Sequence, residues 1–154
     1  MRFIFVLFAL LSTAATSLAQ EREWTLNASD KEAFLVFGVP DTDDVGISLW
    51  CEIGTNKFSV FVNNVAGRLK EGQSTTMLVD IDNKKFSVKA KAAIDKLGLS
   101  KSLEGQIPSN DPILIAAKNG STLKTTILGH TNTYPLIDAD LTGLLRTCAG
   151  DAVN

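Results

Sequence analysis

Acidic residues in one short segment have the spacing of a calcium-binding loop. Within VPDTDDVGISLWCE, the residues Asp41, Asp43, Gly46 and Glu52 fit the EF-hand pattern D-x-[DN]-x-[DN]-G-x5-E. Val45 stands where the pattern requires a further Asp or Asn. Carboxylate oxygens at this spacing bind Ca²⁺ when a helix lies on each side of the loop. The segment therefore raises the question of whether the chain binds calcium.

The sequence on both sides of this segment predicts strands rather than helices. The apolar stretch AFLVFGVP precedes it, and the residues that follow alternate between apolar and polar. In an extended strand, Val45 to Glu52 spans about 23 Å at about 3.3 Å per residue, which is too long for one cation site. We therefore interpret the acidic residues as a turn, with a weak surface calcium site of Asp41, Asp43 and Asp44 as the alternative. We predict no metal site and no cofactor.

No segment of the sequence has a recognisable catalytic motif, so we assign no catalytic residues. His130 is the single histidine and lies in ILGHTNTY, which is typical of a hairpin turn. No segment has the pattern of a nucleophile elbow or of an H-E-x-x-H helix. Two carboxylates from separate turns could still converge in space, as in glycosidases. A hydrolase therefore stays an alternative to a protein without enzymatic activity.

The first residues have the layout of a secretory signal peptide. MRFIFVLFALLSTAATSLAQ begins with one positive charge, continues with an apolar run from Phe3 to Leu11, and has small residues up to Ala19. The apolar run is shorter than the roughly 20 residues that span a bilayer. We predict that residues 1–19 are cleaved. Residues 20–154 are then expected to form one β-rich domain, periplasmic or secreted, with no transmembrane segment.

Two cysteines remain in a chain that is predicted to enter an oxidising compartment. Cys51 and Cys148 are expected to form a disulfide bond there. The bond would close a loop of about 100 residues, which the chain-entropy account converts to about 4–5 kcal/mol of stability. Free or intermolecular thiols are the alternative. A four-ligand zinc site would need more ligands than these cysteines and His130 supply.

The composition is that of an ordinary globular domain and argues against nucleic-acid binding. Hydrophobic residues make up 45% of the chain and charged residues 21%, so a sizeable core can form. The formal net charge is −2. A general nucleic-acid binder needs a broad basic surface, which a weakly acidic chain does not provide.

Alternating residues predict antiparallel strands. Ala33–Gly38 is apolar on both faces, whereas Val45–Glu52 alternates, so that Trp50 and Cys51 point to opposite faces. Lys57–Asn64 follows after the short connection IGTN, which indicates a hairpin. TLKTTILGHTNTYPL is typical of another hairpin, whereas IDKLGLSKSLEGQIPS has no clear period and no assigned element.

The clearest hairpin is MLVDIDNKKFSVKAKA. If Asn83–Lys84 is its turn, Asp82 faces Lys85 and the apolar residues share the opposite side. This register places Lys85, Lys89 and Lys91 together on a solvated face, where they could meet an anionic partner. The alternative is that the lysines protect an exposed strand against pairing with other chains.

Two helices are marked by their ends. In NDPILIAAKNG, Asp111 can cap a helix and Gly120 can end it in a left-handed conformation. In DADLTGLLRTC, Asp138 can cap a helix whose inward stripe ends at Cys148. With the strands, these elements predict an α+β or mainly β fold. We expect an antiparallel sheet or small barrel of about seven to eight strands with two short helices.

Trp50 is a candidate binding residue, together with Lys85, Lys89 and Lys91. Tryptophan is enriched among the residues that dominate binding, and Trp50 lies on the strand face opposite Cys51. The alternative is that a helix or loop covers the indole ring, since large aromatic side chains are highly buried on average.

The later part of the chain resembles a known arrangement of a short helix, a strand, a hairpin and a helix that ends in cysteine. NDPILIAAKNGSTLKTTILGHTNTYPLIDADLTGLLRTC, with the earlier Trp50–Cys51 strand, is similar to uncharacterised exported proteobacterial β-rich domains. It is also distantly similar to the end of the invasion-associated locus B family. The resemblance implies a periplasmic or secreted accessory protein. We therefore expect a non-enzymatic module that binds an unknown protein or glycan of the cell envelope, with a structural role in an envelope complex, or a hydrolase, as alternatives.

Overall fold

Strands dominate the structure, which a computed structural model describes for residues 21–55, 57–63, 65, 67–94 and 101–150. The predicted leader, residues 1–19, lies outside the described residues, as does Asn64. The elements are β1 (Glu23–Ala28), β2 (Glu32–Gly38), β3 (Val45–Glu52), β4 (Lys57–Val62), β5 (Ser74–Ile81), β6 (Lys84–Ile94), β7 (Lys101–Pro108), α1 (Pro112–Asn119), β8 (Thr122–Ile127), β9 (His130–Pro135) and α2 (Leu141–Cys148).

The strands of the described chain form one antiparallel sheet in the order β1-β2-β3-β4-β7-β6-β5-β8-β9. The sheet curls into a half-barrel, and the buried residues of both helices join the core on its inner face. Strands account for 55% of the structure and helices for 13%, so the mainly β alternative describes this fold. The expected antiparallel sheet with two short helices is confirmed.

β1 and β7 are the strands that the sequence pattern does not reveal. β1 is an edge strand whose residues are exposed or half-buried, so its apolar alternation is weak. β7 lies in the stretch without a clear period and contains Gly105. A side chain at Gly105 would place its Cβ 2.5 Å from Cγ1 of Val88, so the close approach of β6 and β7 requires glycine there.

The hairpin of β5 and β6 turns one residue earlier than expected. Its turn residues are Asp82 and Asn83, with φ of 47° and 72°, which is the left-handed pair that a tight hairpin needs and that Asp and Asn tolerate. Lys85 consequently faces Asp80, and the predicted pairing with Asp82 is wrong. Because the register moves by two residues, every side chain keeps its predicted face.

Both predicted helices form, but each differs at one end. In α1, Asp111 caps as expected and accepts a hydrogen bond from the Ile113 backbone at 2.9 Å. Gly120, however, has φ −91°, so the predicted left-handed end is wrong. The cap of α2 is Asp140 rather than Asp138, and it accepts a bond from the Gly143 backbone at 2.8 Å. The sequence places two aspartates before this helix, and only the second directly precedes it.

Cys51 and Cys148 meet on the inner face of the sheet, where the stripe of α2 packs. The structure places them at disulfide-bonding distance, with Cα atoms 5.9 Å apart. Both are buried, and the Gly54 backbone N–H donates to the Cys148 carbonyl at 3.0 Å. A disulfide bond at this position would fix the last helix against the third strand.

Aromatic rings connect the two ends of the sheet. The rings of Trp24 in β1 and Phe37 in β2 have centroids 5.2 Å apart, and Phe37 meets Tyr134 of β9 edge-on at 5.8 Å. Edge-to-face pairs of this kind are favourable because the positive ring edge meets the negative ring face. The cluster brings the first and last strands close together.

Candidate functional site

Three aromatic side chains lie in a row on the face of the sheet turned away from the helices, which we call the outer face. Phe34 in β2, Trp50 in β3 and Phe61 in β4 form this aromatic row. The ring centroids of Phe34 and Trp50 are 6.0 Å apart and those of Trp50 and Phe61 are 6.2 Å apart. The planes differ by only 18° and 29°, so the rings stack along the direction that crosses the strands.

The antiparallel register of β2, β3 and β4 brings the three rings of the aromatic row next to each other. Phe34 pairs directly with Trp50, whereas Phe61 pairs with Ser48 and reaches Trp50 diagonally. Diagonal neighbours on one face are within reach of aromatic side chains. The three rings are half-buried because they cover one another, since both helices pack on the opposite face.

The indole N–H of Trp50 is the unusual group of this row. It is buried and has no hydrogen-bond partner within the described chain. A buried donor without a partner costs about 1–3 kcal/mol, and such exceptions to the pairing of buried polar groups are uncommon in native proteins. The sequence places Trp50 on this face correctly, but its role in binding stays a prediction.

A broad, open groove of about 850 Å³ lies beside the aromatic row, over β5, β6 and β7. We call it the outer groove. Hydroxyl, amide, ammonium and carboxylate groups converge in it, so it can both donate and accept several hydrogen bonds. Its polar lining consists of Ser74, Thr75, Thr76, Lys89, Lys91, Glu104 and Gln106.

Strand pairing makes the row and the outer groove neighbours. Glu104 of β7 faces Phe61 of β4 on one side and Lys91 of β6 on the other. Adjacent strands are about 4.8 Å apart, so Trp50 lies about 14 Å from the lysines of β6 across the sheet. An extended ligand that crosses the strands could therefore contact both.

The three candidate lysines are not one site. Lys89 and Lys91 line the outer groove, whereas Lys85 lies with Lys84 beside α1. All three are exposed, and within the described chain the ion pair is Arg22 with Asp44, which involves none of them. Within the described chain, β6 pairs with β5 along Lys84–Lys91 but with β7 only along Ala90–Ile94. The alternative explanation, protection of an exposed edge, therefore does not apply to Lys91 and stays open for Lys85 and Lys89.

The acidic segment that resembles a calcium loop is a turn between β2 and β3. Asp41 has a φ of 59°, and Asp44 pairs with Arg22. Glu52 is the last residue of β3, at the far end of the strand from this turn. Among the described residues, no group of three or more His, Cys, Asp or Glu side chains is arranged to hold a metal ion.

His130 begins β9 and is exposed next to the tight turn of the β8–β9 hairpin. The turn residues Leu128 and Gly129 have φ of 50° and 85°. The predicted hairpin is therefore present. The described structure places His130 on the surface at this turn.

Tyr134 is the titratable group whose pKa is displaced in the described structure. Burial raises the pKa of its hydroxyl above the ordinary value of 10.0. Smaller opposing effects come from the side chain of Thr125, the charge of Arg22 and the side chain of Asn132. The group belongs to the aromatic cluster between the sheet edges, so the displacement reflects packing of the core.

No protein-family model, curated protein or solved structure matches this chain. The similarity to the invasion-associated locus B family consequently stays a prediction. Among the described residues, the helices are too short and insufficiently apolar to cross a bilayer.

Proposed function

We propose that this protein is an exported, non-enzymatic module that binds an acidic glycan of the cell envelope on its outer face. The observation that carries the proposal is the position of the aromatic row beside a groove lined by two exposed lysines. The glycan would lie across the strands, from Trp50 towards Lys89 and Lys91.

The chemistry of the outer face matches that of a sugar polymer. A pyranose ring has an apolar surface of C–H bonds, which packs against aromatic side chains, and a rim of hydroxyl groups, which need hydrogen-bond partners. The aromatic row offers the first contact. Ser74, Thr76 and Gln106 offer hydroxyl and amide groups for the second.

The charges of the outer groove favour an acidic polymer over a neutral one. Lys89 and Lys91 contribute two ammonium groups, and Glu104 is the single carboxylate that lines the groove within the described chain. A carboxylate or sulfate on the polymer could bind either ammonium group. Because the lysines are exposed, we expect this contribution to weaken strongly with salt.

A hydrolytic reaction in the outer groove would need a second carboxylate. Glycosidases use a pair of acidic residues whose carboxyl groups lie about 5–10 Å apart. Since Glu104 has no acidic neighbour in the lining, we propose binding rather than cleavage. The predicted leader and the cysteine pair at disulfide-bonding distance support export to an oxidising compartment.

Affinity electrophoresis in polygalacturonate and in neutral dextran tests the proposal. We expect retardation by polygalacturonate alone, decreasing at high salt. Lys89→Gln with Lys91→Gln should weaken binding about tenfold, and Trp50→Phe should weaken it less, because it keeps a ring in the row. Lys85→Gln is the matched control, since Lys85 lies outside this groove.

The lysine double variant changes only exposed side chains, so we expect it to stay folded and a loss of binding to reflect the lost charges. Equal retardation by the two polysaccharides would contradict the acidic-glycan proposal. So would wild-type affinity for polygalacturonate in the double variant.

A further inference from the structure

The two lysines of the outer groove have different neighbours in the sheet. Lys91 of β6 faces Glu104 of β7 directly. Opposite charges in facing positions of antiparallel strands attract each other. The ion pair within the described chain is Arg22 with Asp44, so Glu104 offsets the charge of Lys91 without reaching ion-pair distance.

Lys89, by contrast, has uncharged neighbours on both sides. Thr76 of β5 faces it. On the other side, Ala90 and Gly105 form the last pair between β6 and β7, so Gln106 lies beside Lys89 just beyond the end of that pairing. Among the described residues, Lys89 therefore carries the positive charge of the outer groove that no facing carboxylate offsets.

A path without charged side chains leads across the sheet from the aromatic row to Lys89. Trp50 faces Ser59 of β4, and Ser59 faces Gln106 of β7. The path from Trp50 to Lys89 covers three strand spacings, or about 14 Å. A ligand that follows it meets its first charge at the end on β6.

The one carboxylate of the outer groove lies beside the middle of this path. Glu104 is half-buried on β7, between Phe61 of β4 and Lys91 of β6. It is two residues from Gln106, which corresponds to about 7 Å along the strand. This distance is within the screening length of about 8 Å at physiological ionic strength, so Glu104 repels an anionic group held above Gln106.

The net charge of the outer groove suits one anionic group rather than a run of them. Its lining within the described chain contributes two ammonium groups and one carboxylate. A pyranose unit of a polymer is about as long as one strand spacing of about 4.8 Å, so about four units reach from β3 to β6. The unit at Lys89 is attracted when it is acidic, whereas the unit before it is repelled.

We infer that the outer groove selects an acidic glycan whose charged units are separated by uncharged ones. Lys89 binds the acidic unit, and Glu104 excludes a second acidic unit directly beside it. A polymer of alternating uronate and N-acetylhexosamine units has this pattern, whereas polygalacturonate carries a carboxylate on every unit. The inference rests on the proposed function and names the class of glycan that the same site takes.

Calorimetric titration with two tetrasaccharides tests the role of Glu104. One is the tetrasaccharide of hyaluronan, in which uronate and N-acetylhexosamine alternate, and the other is tetragalacturonate. We expect the parent to bind the alternating one about fivefold more tightly, which is at the upper end for exposed charges. Glu104→Gln should remove most of this preference by strengthening the binding of tetragalacturonate. Glu23→Gln on exposed β1 makes the same change in net charge outside the groove and should keep the preference.

The two lysines should respond differently to the loss of Glu104. Lys89→Gln should weaken binding of the alternating tetrasaccharide about fivefold. Lys91→Gln should also weaken it, because Glu104 is then unopposed, and adding Glu104→Gln should restore the parent affinity. Adding Glu104→Gln to Lys89→Gln should leave most of the loss, because the ammonium group that binds the acidic unit is still absent. Thermal unfolding of each variant confirms that it is folded.

The possible failures of the two proposals differ. If the parent binds neither tetrasaccharide, the proposed function and this inference both fail. If the parent binds the two equally, or if the preference persists in Glu104→Gln, the inference on charge spacing fails and glycan binding stands. A loss in Lys91→Gln that persists after Glu104→Gln is added would likewise overturn the inference, because Lys91 would then bind the glycan itself.

Discussion

The indole N–H of Trp24 donates a hydrogen bond to the carbonyl oxygen of Pro135. This bond joins β1, at one edge of the sheet, to β9, at the other. Side chains rather than a ladder of backbone hydrogen bonds therefore connect the two edges of the half-barrel. Among the described residues, β1 pairs with β2 alone and β9 with β8 alone, so these two edge strands do not pair with each other.

Replacing Trp24 by phenylalanine should lower the free energy of unfolding by about 1 kcal/mol beyond the effect of the smaller ring, because a hydrogen bond is lost. Urea denaturation measures this effect. Trp50→Phe is the reference variant: it removes the same atoms and no hydrogen bond, but it also relieves the cost of a buried N–H without a partner, so it should lose less stability than Trp24→Phe. Equal losses of stability in the two variants would show that the bond between the edges contributes nothing.

The cross-link between Cys51 and Cys148 should account for a large share of the stability. The two residues are separated by 97 positions, and the chain-entropy account gives about 4–5 kcal/mol for a loop of this size. Cys51→Ala with Cys148→Ala should therefore lower the urea midpoint strongly, whereas reductant should have no effect on that variant. Thiol titration of denatured exported protein should find no free thiol, and two free thiols would refute the cross-link.

Stability should fall in alkaline solution because of Tyr134. Burial raises the pKa of this hydroxyl above 10.0, so above that pH the folded chain holds a proton that the unfolded chain has released. The free energy of unfolding therefore decreases as the pH rises from 10 through the folded-state pKa. Tyr134→Phe should show a smaller decrease when urea denaturation is compared between about pH 9 and about pH 11. Parallel curves for the two proteins would contradict this assignment.

Thr125 should be replaceable by valine without loss of stability. Its hydroxyl is fully buried and lies close enough to the Tyr134 hydroxyl to lower the pKa of that group, but the contact does not have the geometry of a hydrogen bond. Valine has nearly the same shape and no polar group to desolvate, so we expect a gain of about 1 kcal/mol in the free energy of unfolding. Val79→Thr is the reverse control on the neighbouring strand and should destabilise. A clear loss of stability in Thr125→Val would indicate that the hydroxyl has a partner.

The sequence predicts which face of the sheet a side chain occupies better than it predicts which strands lie next to each other. Alternation assigns Trp50 and Lys89 to the outer face correctly, and even the misplaced turn at Asp82 leaves those faces unchanged. The aromatic row, however, depends on how three strands align, and Phe61 joins it only through the register of β3 with β4. Local periodicity carries no information on such pairings.

The outer groove was still harder to predict because it depends on strands that are distant in the chain. Glu104 and Gln106 lie in β7, which pairs with β4. β5 and β6 lie between these two strands in the sequence, so no hairpin pattern indicates the pairing. The sequence also does not show that Lys85 and Lys89 lie in different grooves. Four residues of strand cover about 13 Å, and α1 lies beside Lys85 but not beside Lys89. The spacing of the lysines in the sequence suggests one basic cluster. In the structure, Lys89 and Lys91 line the outer groove, whereas Lys85 lies beside α1.

The edge of β4 stays exposed to aggregation until β7 has been made, because β4 pairs with β7 rather than with the next strand in the sequence. When β1 to β4 have been synthesised, β4 has one unpaired edge, and its partner Lys101–Pro108 has not yet been made. That edge carries Phe58, Val60 and Val62, which is the type of exposed apolar strand that recruits other chains. Until residue 108 has been synthesised, only another protein can cover the unpaired edge of β4. We therefore expect a chain that ends before that residue to bind holding chaperones and not to fold into a smaller protein.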